Sequence, residues 1–103
     1  MSLKDRGGAF DTLENLQEDL VIDSMQEILE YEEFNGKICT CDICLVDIAA
    51  IALNALPPRY VANRYNKFPL TLEEENMTLH MVSEIVLDAI RKVGMAPHHH
   101  TLR

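Results

Sequence analysis

The segment from Ile43 to Leu56 constrains this chain more than any other. Within it, only Cys44, Asp47 and Asn54 are neither strongly apolar nor alanine. A helix that is apolar nearly all round belongs in the middle of a core. Pro57-Pro58 forbids its continuation, and Asp42 is placed to cap its start. Directly ahead runs Cys39-Thr40-Cys41-Asp42-Ile43-Cys44, which holds every cysteine of the chain. The central helix is thus expected to carry three thiols at its head.

Two further helices flank it. From Asp11 to Phe34 the pattern is helical, with one apolar row of Leu13, Leu16 and Leu20. A second row holds Val21, Met25, Ile28 and Leu29. The combined stripe is wider than a helix on a monomer surface needs. Nine acids and no basic residue lie between Asp11 and Glu33, so the outer face is strongly negative. Asn35-Gly36 is a good stop, because either residue tolerates the left-handed conformation. The third helix is expected from Leu72 to Val93. It opens on a Thr71–Glu74 capping box, and its stripe is Val82, Ile85, Val86, Ala89, Ile90 and Val93. Met81 and Leu87 fall off that stripe and point to a second contact surface. Gly94 is read as the stop. These features predict an all-α fold, a small bundle of three to four helices with a loop after the central one. A flexible lead covers 1–10, the helical domain 11–94 and a flexible tail 95–103.

The thiols are too close in sequence to pair off as separate structural disulfides. Cys41 and Cys44, three apart, share a face on the first turn of a helix. Cys39 can fold back to them from the preceding loop. The positive helix N-terminus favours thiolate over thiol. Zinc takes four ligands, often thiolates at about 2.3 Å, so the run supplies three. The fourth is open between a carboxylate, a histidine, a water and a group from another subunit. His80 falls on the polar face of the third helix, four residues before Glu84, where a surface role competes with a ligand role. His98, His99 and His100 lie in the tail. Free or redox-active thiols and an iron–sulfur or copper(I) site are the other readings. No general acid or base accompanies the cluster, so a structural ion is preferred to a catalytic one, and no enzyme is expected.

A formal charge of −8 over 103 residues argues against binding a nucleic-acid polymer or an anionic membrane. No stretch approaches the roughly 20 apolar residues of a membrane span. The first eight residues lack the apolar core of a signal peptide. A cytoplasmic protein with reduced thiols is expected. A chain this short has a small core, and an ion or a second subunit would support it.

Cys44, Asp47, Ile51 and Asn54 follow at spacings of three, four and three and form one seam down the central helix. Asp47 and Asn54 are read as structural polar residues there. Asn54 would tie down the turn beyond Pro58 or, alternatively, face a ligand. From Ile48 to Leu72 there is no acidic residue, yet Arg59, Tyr60, Arg64, Tyr65 and Lys67 lie inside that span. Arginine offers bidentate contacts to phosphate and tyrosine a stacking face. A phosphorylated aromatic small molecule fits this composition. A solvated loop balancing the acidic first helix fits it too.

The cysteine run, Asp47 and the stretch Ala52-Leu53-Asn54-Ala55-Leu56-Pro57-Pro58-Arg59-Tyr60-Val61 together resemble the late competence development protein ComFB family. The resemblance covers residues 39–61, and the joint motif is more specific than either half. It implies a small, all-helical bacterial homodimer. In the cysteine-bearing branch it implies zinc held by the thiolates matching Cys39, Cys41 and Cys44. A cyanobacterial branch without the cysteines is implicated in binding cyclic dinucleotides, chiefly cyclic di-GMP. That implies a regulatory receptor using Asn54, Arg59, Tyr60, Arg64 and Lys67. The competing expectations are an adaptor with a protein partner on the acidic helix and a thiol redox switch.

Overall fold

The computed structural model describes residues 3–63 and 71–95. Two 3-10 turns, Leu3–Asp5 and Gly7–Phe10, open the chain and contribute no buried residue. Strand β1 follows at Glu14–Asn15, then helices α1 at Gln17–Ile28 and α2 at Asp42–Ala55. Strand β2 at Tyr60–Val61 precedes helix α3 at Leu72–Met95. Each helix packs on the other two.

The core lies where the three helices meet. Val21, Met25 and Ile28 enter it from α1, and Cys44, Ile48 and Ala52 from α2. Val82, Val86, Ala89, Ile90 and Val93 close it from α3, as the third stripe predicts, with Ile85 half-buried at its margin. Met81 and Leu87 are also half-buried against the core. The capping box forms: the Glu74 amide donates to Thr71 Oγ1 at 3.1 Å, and the Thr71 amide to Glu74 Oε1 at 3.3 Å.

The all-helical expectation is corrected by a small antiparallel pair, with Glu14 opposite Val61 and Asn15 opposite Tyr60. Its formation shortens the first helix at the front. The carbonyl-like Oδ1 of Asn15 accepts the amides of Gln17 at 3.1 Å and Arg59 at 2.9 Å. Asparagine side chains compete with helical backbone bonding in this way. The helix is shorter at the back as well, ending at Ile28 rather than Phe34. Glu27, Glu30, Glu32 and Glu33 crowd the end where the helix dipole is negative and cations would be favourable. A series of turns follows and delivers Phe34 into the core. Gly36 then reverses the chain at φ +71, so the expected stop residue acts a few residues beyond the helix end.

Two further expectations are corrected. The helix α2 is buried on one face only: Ile43 and Val46 are exposed on the side away from Ile48. Gly94 does not stop α3, which runs through it to Met95. No helix among the described residues is long and apolar enough to cross a membrane.

Candidate metal centre

Beyond Gly36, Lys37 and Ile38 lead to the thiols. Cys41, not Asp42, is the N-cap of α2: its backbone is extended (φ −68, ψ 163), and its carbonyl accepts the Leu45 amide at 2.9 Å. Asp42 becomes the first helical residue, where its charge still complements the helix dipole. Cys44 lies three residues beyond the cap and is fully buried, while Cys39 is half-buried and Cys41 exposed. None of the three is joined in a disulfide.

Their sulfurs lie within 4.8 Å of one another. Thiolates on a tetrahedral zinc stand roughly 3.8 Å apart, given bonds of about 2.3 Å. A small contraction would therefore bring all three onto one ion. Three soft donors converging at a helix N-terminus fit zinc better than a hard oxygen-seeking cation. Among the described residues no other His, Cys, Asp or Glu joins the group. His80 stands apart and exposed on α3, 3.2 Å from Glu84. His98, His99 and His100 lie outside the described residues.

Burial first, then side-chain hydrogen bonding with Cys41 and Cys39 and the repulsion of their charges, pushes the Cys44 thiol from 9.0 up to about 12. Without an ion, this thiol therefore keeps its proton.

The seam expected on α2 runs out of the core rather than along it. Cys44 is buried, Asp47 and Ile51 are half-buried, and Asn54 is exposed. Asn54 is thus not a buried tie for the Pro57-Pro58 turn. That task falls to Asn15 and Gln17, which sequence reasoning missed. Asn15 Oδ1 accepts from the Arg59 amide, and the Leu16 amide donates to the Arg59 carbonyl at 2.8 Å. Gln17, fully buried, donates from Nε2 to the Pro57 carbonyl at 3.0 Å. The Asn-x-Gln pair at the start of a helix was the available signal. Arg59 is half-buried, and Tyr60 is 62% exposed on the anchored strand. Arg64 and Lys67, with Tyr65, lie outside the described residues. The thiols and this turn sit at opposite ends of α2, roughly 20 Å apart at 1.5 Å per residue.

The fold and its site define a small helical domain whose middle helix is headed by three clustered thiols. The sequence model of the family described as Late competence development protein ComFB matches residues 14–97, and the chain belongs to that family. In structure it is similar to the late competence protein ComFB from Bacillus subtilis, at 22% identity and a TM-score of 0.49. That likeness covers 87% of this chain and 99% of the other. None of the curated proteins compared with the chain matches it.

Proposed function

We propose that this chain is a non-enzymatic, zinc-stabilised regulatory dimer. The observation that carries the reading is the convergence of Cys39, Cys41 and Cys44 within 4.8 Å at the head of the core helix. Zinc there would clamp the loop before α2 to the helix itself and contribute folding energy. Metal content of the purified chain tests this. About one zinc per chain is expected, with loss of the ion and a lower melting temperature in Cys41→Ser. Equal metal content in variant and parent would defeat the reading.

Dimerisation draws support from apolar surface that one chain leaves open. Val46 on α2 is 61% exposed and Ile22 on α1 58%, and Met77 and Leu79 on the first half of α3 are exposed too. A second copy covering these faces would complete the core.

The regulatory signal favoured here is a cyclic dinucleotide. Its support is the anchored stretch at β2, where Arg59 is tied by its amide to Asn15 and the exposed Tyr60 sits opposite Asn15 in the strand pair. Arg59 would meet phosphate and Tyr60 would stack on a base, with Asn54, Arg64 and Lys67 as further contacts. Calorimetric titration with cyclic di-GMP, and cyclic di-AMP for comparison, is the test. Saturable binding weakened by Arg59→Ala is expected. No heat with either compound would turn attention to a protein partner on the acidic face of α1, where Glu18, Asp19, Asp23 and Glu27 are exposed. Cys44 is disfavoured as the nucleophile of a redox switch, because burial pushes its thiol up to about 12.

A further inference from the structure

Gly94 lies one residue before the end of α3, and since the helix runs through it, the position calls for a reason other than termination. Backbone freedom is not that reason, because the positive-φ glycines among the described residues are Gly7 and Gly36. Space is the reason. A Cβ at position 94 would lie 3.1 Å from Ile38 Cγ2 and 3.7 Å from Ile38 Cβ. The bare backbone of α3 is therefore a notch that receives Ile38.

Ile38 directly precedes Cys39, and both are half-buried against the core. The thiols differ in what places them. Cys41 and Cys44 belong to the cap and first turn of α2, so their spacing is set by the helix. Cys39 lies outside α2, two residues before its cap, so the helix alone does not set its position and the packing of the chain around it, Ile38 included, also bears on it.

We propose that Gly94 is a positioning residue for the metal centre: its notch seats Ile38 and so holds Cys39 within reach of the ion shared with Cys41 and Cys44. The inference rests on the metal reading of the thiols. An added methyl at position 94 requires the Ile38 side chain to give by a few tenths of an ångström, and on this proposal the push reaches the adjoining Cys39. Linkage makes the coupling reciprocal, so a bound ion also holds the end of α3 against Ile38.

The test is zinc affinity of the full chain, measured by competition with a chromogenic chelator. The parent, Gly94→Ala, Ile38→Ala and the double variant are compared. Each single change is expected to weaken zinc binding measurably, by less than the roughly 10–100-fold seen when a group hydrogen-bonded to a ligand is lost, because the contact acts on Cys39 through Ile38. The two losses are expected not to add, because both act through one contact. The melting temperature of the metal-free Gly94→Ala chain is measured alongside. A merely structural role would lower it and leave zinc affinity unchanged, overturning the proposal. Additive losses in the double variant would overturn it as well. Should Gly94→Ala fail to fold, Ile38→Ala decides alone, since it removes the contact without adding atoms. Unchanged affinity there refutes the coupling. A parent that binds no zinc would instead refute the metal reading itself.

Discussion

Cys44 is held neutral by the fold when no ion is present. Its thiol is favoured in the folded state and titrates near 9 in the unfolded chain. The stabilisation is therefore fully present below about pH 9 and is lost as pH climbs towards 12. Thermal melts of the metal-free chain from pH 8 to 11 should show a falling melting temperature. Cys44→Ala should fall less steeply over the same range, and parallel curves would show that burial does not control this group. Alkylation gives a second check. Exposed Cys41 should be modified first and Cys44 last, and the order should vanish on unfolding. The thiols were legible in the sequence because their spacing is local and two of them lie three positions apart at the head of a helix. The protonation state of Cys44 was not. The helix N-terminus favours thiolate, but full burial outweighs it, and burial is a property of the packed core.

At the level of the element, α2 divides into a buried face and an open one. Ile48 sits at the centre of the buried face, fully enclosed. Ile48→Ala should cost about 2–5 kcal/mol, read by urea unfolding. A cost under 1 kcal/mol would mean that the three helices do not converge there. Asn15→Ala removes one acceptor that serves two amides. It should cost about 1–3 kcal/mol and release the β1–β2 pair, visible as faster hydrogen exchange at Arg59. The capping box at Thr71 and the stripe of α3 could be read directly, since both are written within a few turns. The Asn15 clamp could not, because its partner lies 44 positions away. Asn54 was the nearer polar residue and looked the better candidate, yet it faces outward. Gly94 misled for a related reason: a stop and a notch both demand glycine, and only the neighbouring Ile38 distinguishes them.

For the whole molecule, the open apolar faces carry the prediction. Val46→Glu should leave the chain helical by circular dichroism while halving its mass in sedimentation, if α2 meets a second copy there. A monomeric parent, or a dimeric variant, would place the contact elsewhere or remove it. The near-complete apolarity of residues 43–56 made the central role of α2 legible. Which side a single chain buries was not, because both sides are apolar and the choice depends on α1 and α3.

The tether between Asn15 and Arg59 also bears on the order in which the chain assembles. Closing so long a loop costs entropy before the contact returns anything. That cost falls once α1 and α2 have docked and brought the two short segments together, so the strand pair is expected to zip after them. A nascent chain would display its Arg59–Tyr60 arm in final pose only after α1 and α2 have met. Any partner that reads that pose is in effect inspecting finished molecules, and passes over those still folding.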